Sequence, residues 1–156
     1  MRKIFLFLIS ILLIGFAFSC KQRADEKHIQ MEDSLTINKV KLENIIIPSD
    51  SGVVVLTLSD GRGIANIQKE KDQTVYIEFQ SQGYKNISAR LSSLDSLANI
   101  RISQIFIPDG IMDGPFGRDM QYKLAIDGVY RLSVHENMMA GDPWNGVFTA
   151  EITLTK

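Results

Sequence analysis

Met120-Gln-Tyr-Lys-Leu-Ala-Ile-Asp-Gly-Val-Tyr-Arg-Leu-Ser-Val134 holds two alternating runs on either side of an Asp127-Gly128 turn. Met120, Tyr122, Leu124 and Ile126 share one parity, and Tyr130, Leu132 and Val134 share it beyond the turn. A period of two marks strands with one face buried and the other wet. A two-residue hairpin at Asp127-Gly128 would set Leu124 opposite Arg131 and send the apolar sets to opposite faces, so that register fails. Two arrangements join the faces. One is a three-residue loop, Ile126-Asp127-Gly128 with Gly128 left-handed, which sets Leu124 against Tyr130 and Tyr122 against Leu132. The other is a chain that crosses from one sheet to a second sheet packed on it.

The crossing is preferred, because Gly128-x-Tyr130-x-Leu132-x-Val134 after a strand resembles the tyrosine corner of Greek-key sandwiches, in which the Tyr hydroxyl bonds nearby backbone. Outward from it, short β segments follow one another. Val53 to Leu58 is apolar and β-branched and runs into the turn cluster Ser59-Asp60-Gly61-Arg62-Gly63. Ile64 to Ile67, Gln73 to Phe79, Ile87 to Leu91 and Ile100 to Ile107 read as further strands, the last stopped by Pro108-Asp109-Gly110. Val147 to Leu154 closes the chain with Phe148, Ala150, Ile152 and Leu154 on one parity. Ser92 to Asn99 is a polar connection with room for one helical turn. The expected fold is all-β, a single antiparallel β-sandwich or jelly roll.

Four pieces occur in an order that is similar to a known family: Lys71-Asp-Gln-Thr-Val-Tyr-Ile77, Ile105-Phe-Ile-Pro-Asp-Gly110, Gly128-Val-Tyr-Arg-Leu-Ser-Val134 and Phe148-Thr-Ala-Glu-Ile-Thr-Leu154. They resemble the bacterial pre-peptidase C-terminal (PPC-like) β-sandwich domains and the related periplasmic lysozyme inhibitors, over roughly Val53 to Leu154. The resemblance is one of strands and turns, not of a catalytic signature. It implies a sandwich and a binding role, in its sharpest form inhibition of a lysozyme. Where many of those inhibitors carry basic residues after the Gly-x-Tyr strand, this chain has Glu136 to Asn145.

At the other end, Met1-Arg2-Lys3 supplies positive charge, and the apolar run from Ile4 to Phe18 is shorter than a membrane span requires. Ala17-Phe18-Ser19-Cys20 resembles the bacterial lipobox, which implies cleavage after residue 19 and acylation of Cys20. That accounts for the single cysteine of an exported chain. Multiple acyl chains, at about 0.8 kcal/mol per buried methylene, would hold it on a membrane. Residues 20–34 are of mixed charge and read as a tether spanning ~20 Å, with the domain over 35–156. Lys21 is not the aspartate associated with inner-membrane retention, which points to the outer membrane. Asp25-Glu26 weakly resembles an acidic surface-export tag, so either leaflet is open. Removing residues 1–19 takes Arg2 and Lys3 from the 17 basic residues and none of the 18 acidic ones, leaving a net charge of −3. Nucleic-acid binding needs clustered cations and is not expected.

Chemistry is sparsely marked. The two histidines are His28, in the tether, and His135, at a strand end with no evident nucleophile. No phosphate loop or serine elbow is present, so an enzyme is not expected, nor a cofactor. Asp109, Asp113 and Asp119 lie in one Gly-rich stretch and are the only acids placed to bind calcium, without the EF-hand spacing. Counting one sandwich crossing per strand puts the 80–85, 108–118 and 136–146 connections at one end, and 92–99 with the Asp127-Gly128 turn at the other. The first end would gather Tyr84, Met112, Phe116, Arg118, Met138, Met139 and Trp144. These residue types favour binding surfaces. Trp144 is expected to fold inward as a lid, and Arg118 and Met139 to stay exposed. Two functions fit: a lipid-anchored module that captures an envelope protein or glycan, or an accessory lipoprotein packed in a larger envelope complex.

Overall fold

The computed structural model describes residues 44–156, and every element in that span is a strand. The expected cleavage after residue 19, acylation of Cys20, tether over 20–34 and domain start at Leu35 lie outside the described residues. Ten strands form two five-stranded sheets. β1 (Ile45–Ile46), β3 (Arg62–Lys69), β10 (Gly146–Thr155), β5 (Asn86–Ser93) and β8 (Asp119–Lys123) make the first sheet, in that order. β2 (Val53–Val55), β4 (Val75–Gln80), β9 (Val129–His135), β6 (Arg101–Phe106) and β7 (Met112–Asp113) make the second. The interior pairings are antiparallel, as expected for the sandwich. The short edge strands β1 and β2 are parallel to β3 and β4, so both sheets are mixed.

Alternation decides what each strand gives the core. Phe148, Ala150, Ile152 and Leu154 of β10 point inward, against Val75, Ile77 and Phe79 of β4 and Leu132 and Val134 of β9. Burying one Val, Leu, Ile or Phe side chain contributes about 1.5–3 kcal/mol, and this layer is where the stability resides. Leu56 and Leu58 continue the parity of Val54 into the core, although the paired strand ends at Val55.

The organising stretch is a crossing. β8 pairs with β5 in the first sheet and β9 with β4 and β6 in the second, so residues 124–128 carry the chain from one layer to the other. Tyr130 is fully buried, stacked on Phe79, and its hydroxyl donates to the Ile126 carbonyl at 2.7 Å while accepting the Ile126 N–H at 3.3 Å. This is the tyrosine corner. Gly128 has φ +151°, a region that favours glycine, and a Cβ there would meet Pro108 at 3.0 Å.

One crossing went uncounted in the sequence. From β7 the chain follows the outer edge of β6, with the Phe116 N–H donating to the Ile102 carbonyl at 3.1 Å and the Ile102 N–H to the Gly117 carbonyl at 2.9 Å. The Arg118 carbonyl then accepts the Leu91 N–H at 2.7 Å, and β8 begins on the first sheet. Residues 112–118 therefore traverse the sandwich, and every connection after them lies at the opposite end from that expected.

Candidate binding site

The corrected count sorts the loops into two ends. At one end the 81–85 loop meets the corner, where the Ser81 N–H donates to the Gly128 carbonyl at 3.0 Å and the Gly83 N–H to Asp127 Oδ1 at 2.9 Å. The Ser81 hydroxyl also bonds the Asp127 carboxylate, and these donors hold that carboxyl below its usual range. Tyr84 belongs here, its ring against Gly61, so the expected grouping of Tyr84 with the 136–146 loop is wrong.

At the other end the 136–145 loop lies beside residues 94–99. Asn99 joins them. Its amide Nδ2 donates to the carbonyls of Asn137 at 3.2 Å and Asp142 at 3.1 Å, and its Oδ1 accepts the Asn137 N–H at 3.0 Å. Trp144 Nε1 donates to Asp95 Oδ2 at 2.7 Å, while Asp95 Oδ1 accepts the Leu97 N–H at 2.8 Å. The Trp144 and Leu97 donors hold the Asp95 carboxyl below its usual range. Arg118, expected to be exposed, is half-buried and donates to the Ala98 carbonyl, so it pins the 94–99 loop.

Beneath this end lies a charge pair that no sequence pattern marked. Lys69, the last residue of β3, and Glu136, the first after β9, are fully buried and ion-paired. The Trp144 N–H donates to the same Glu136 oxygen at 3.2 Å, and Lys69 Nζ also reaches the Glu70 carbonyl at 2.8 Å. Burial pushes the Glu136 carboxyl up, but the Lys69 hydrogen bond and charge and the backbone donors outweigh it, and its net shift is downward. His135 Nδ1 lies 3.0 Å from the Glu136 carbonyl and 3.4 Å from its carboxylate.

The outer surface of this end is apolar. Leu94, Leu97, Met138 and Met139 are 71, 85, 61 and 98 % exposed. Met139 was expected there; Leu94 and Leu97 were missed because their connection had been assigned to the far end. Their signal was two leucines in an otherwise polar run. Trp144 is half-buried and packs against the core, with Gly146 so close that a Cβ there would lie 2.5 Å from the indole. Phe116 is half-buried with its ring edge-on to Tyr122 at 6.2 Å, and Met112 lies on β7 at the sheet edge. Between Trp144 and the outer face of β3, β10 and β5 is a recess of about 230 Å³.

The three acids weighed for calcium do not converge. Asp109 Oδ1 accepts the Ile111 N–H, Asp113 Oδ1 accepts the Gly114 N–H, and Asp119 pairs with Arg90 at 2.5 Å. Among the described residues no three His, Cys, Asp or Glu side chains are grouped to hold a metal ion.

No family model matches the chain. No curated protein sequence matches it. Among solved structures it is similar to PliG of Aeromonas hydrophila, a periplasmic inhibitor of g-type lysozyme, with TM-score 0.50 and 9 % identity over 70 % of this chain and 100 % of that one. It is also similar to PliG of Salmonella Typhimurium, with TM-score 0.48 and 14 % identity over 66 % and 97 % of the two chains. At these identities the likeness is one of fold.

Proposed function

We propose that the chain is a non-catalytic, lipid-anchored module of the cell envelope that captures a protein partner through the tip formed by residues 94–99 and 136–145. In its sharpest form it inhibits a peptidoglycan-degrading lysozyme. The observation that carries the reading is the exposure of Leu94, Leu97, Met138 and Met139 together, on two loops held by Asn99 and by the Trp144–Asp95 bond. Exposed apolar side chains on two loops tied to each other suit an interface core, where a few side chains carry most of the binding. The sandwich it shares with a periplasmic lysozyme inhibitor adds support. Acylation of Cys20 would place the module on the outer membrane, in either leaflet.

The test is lysis of peptidoglycan by g-type, c-type and i-type lysozymes in the presence of the mature chain carrying Cys20→Ser. Stoichiometric inhibition of one class is expected, weakened at least about tenfold by Leu97→Ala or Met139→Ala at unchanged melting temperature. Failure to inhibit all three classes would remove the lysozyme reading. Retention of an envelope protein on the wild-type chain, and its loss with both alanine variants, would then leave the tip standing as an interface for another partner.

A further inference from the structure

We infer that the end of the sandwich opposite the tip is a lipid-facing surface that rests on an anionic bilayer. Four large apolar side chains are 41 to 58 % exposed there: Ile111 and Met112 after β6, and Ile126 and Val129 on either side of the Asp127-Gly128 corner. The two groups adjoin. Pro108 packs on Gly128, where an added Cβ would lie 3.0 Å from it, and the Ile107 N–H donates to the Ile111 carbonyl at 2.9 Å to close the turn.

Lysines stand beside this patch. The Lys85 carbonyl accepts the Leu124 N–H at 2.7 Å, the Lys85 N–H donates to the Thr155 carbonyl at 2.9 Å, and Lys123 lies opposite Asn86 where β8 pairs with β5. Lys85, Lys123 and Lys156 are therefore neighbours, and all three are exposed. Asp109 and Asp127, the acids on the same turns, accept local donors, the Ile111 N–H for the first and the Ser81 hydroxyl and Gly83 N–H for the second. Apolar side chains flanked by lysines match a bilayer interface, where the apolar part enters the acyl boundary and the ammonium groups reach lipid phosphates.

Strand direction selects lipid over a protein partner. β1 runs parallel to β3, which starts beside this end, where the Leu154 N–H donates to the Gly61 carbonyl at 2.7 Å, and finishes under the tip at Lys69. The leading end of β1 is thus the one nearer the corner, and a chain anchored through Cys20 joins the domain from that side. Seating this end on the bilayer leaves the tip facing away from it. The choice of lipid rests on the anchor proposed above, whereas the contacts belong to the folded domain.

The mature chain with Cys20→Ser, which carries no acyl chain, is sedimented with vesicles of phosphatidylglycerol and phosphatidylethanolamine in equal parts, and separately with phosphatidylcholine vesicles. Binding to the first is expected to be at least about fivefold tighter than to the second, and to weaken as salt rises from about 0.05 to 0.5 M. Lys85→Gln with Lys123→Gln should weaken it at least about tenfold, and Ile126→Ser with Val129→Ser by a similar factor of about ten, at unchanged melting temperature. Leu97→Ala and Met139→Ala should leave it intact. If a lysine or corner variant unfolds, the wild-type chain gives the answer in small anionic bicelles holding a nitroxide lipid: amides of residues 107–112 and 124–129 should broaden while those of 94–99 and 137–142 stay sharp. No sedimentation with the anionic vesicles up to about 5 mM lipid, equal binding to both vesicles, or broadening strongest at the tip overturns the inference. Lysozyme inhibition and acylation do not enter these readouts, so failure here is distinct from failure of the tip or of the anchor.

Discussion

Lys69 and Glu136 meet in the interior of the protein, 67 residues apart in the chain, where β3 ends and the 136–145 loop begins. The Trp144 backbone bonds both partners, its N–H to the carboxylate and its carbonyl, at 3.4 Å, to the ammonium. The pair thereby fixes both ends of the loop that carries Met138 and Met139.

Removing one partner leaves the other charge buried without a counterion, which costs about 3–5 kcal/mol. Lys69→Met alone should therefore lower unfolding free energy by that amount. The double variant Lys69→Met, Glu136→Leu should regain most of it, because well-packed apolar side chains often replace a buried pair without loss. Denaturant unfolding of the wild type, both single variants and the double measures the coupling. A double variant destabilised by the sum of the two single losses would show that the charges act independently.

Stability should fall on the acid side. The carboxyls of Glu136, Asp95 and Asp127 are all held below their ordinary values of 4.5, 3.8 and 3.8. Between the lowered folded values and the ordinary unfolded ones, the unfolded chain binds more protons, so stability rises with pH there. The contribution is complete above the ordinary values and is lost as pH falls through the folded ones. Melting temperature should start to drop below about pH 4.5, and Asp95→Asn, which keeps an oxygen acceptor for Trp144 Nε1, should make the drop shallower. Thermal scans from pH 3 to 7 decide it.

At the corner, Tyr130→Phe deletes a hydroxyl that both donates to and accepts from Ile126. A loss of about 1–2 kcal/mol follows from leaving those backbone groups unpaired. Tyr130→Ala should cost about 3–5 kcal/mol by opening a cavity beside Phe79. Chemical denaturation reads both, and an unchanged midpoint for Tyr130→Phe would mean the hydroxyl contributes nothing.

Asn99→Ala removes three hydrogen bonds between the two tip loops. About 1–3 kcal/mol should be lost overall. The local effect is the sharper readout: amide exchange of residues 137–142 should quicken by more than that of the β9 core. Uniform acceleration across the domain would show that the loops do not depend on Asn99 for their order.

The sequence made the strands legible wherever one face is buried, because alternation is then enforced along the whole element. β9 and β10 were found within a residue or two for that reason. Residues 112–118 hid a crossing because only Met112 and Asp113 form a named strand there, and Gly114, Pro115 and Gly117 break any alternation. That one omission moved the 136–146 loop to the wrong end and concealed Leu94 and Leu97 as its neighbours. Arg118 looked like a free cation and proved to be a pin, since a backbone carbonyl on another loop leaves no mark in sequence. Lys69 sits in the polar run Gln68-Lys69-Glu70-Lys71-Asp72, beyond the strand read over Ile64 to Ile67, yet it ends a strand whose alternate positions are buried.

The strand at the middle of the first sheet is the last of the described strands in sequence. β3 and β5 touch β10 along nearly their whole lengths, Arg62 to Lys69 on one side and Asn86 to Ser93 on the other, and have no bond to each other. Until residues 146–155 are available, each presents an open edge, and closing the sheet must bring together segments more than 50 residues apart, which makes assembly slow. That order of events leaves the domain open until residues 146–155 pair. Its sandwich stays unfinished for as long as the tail is withheld.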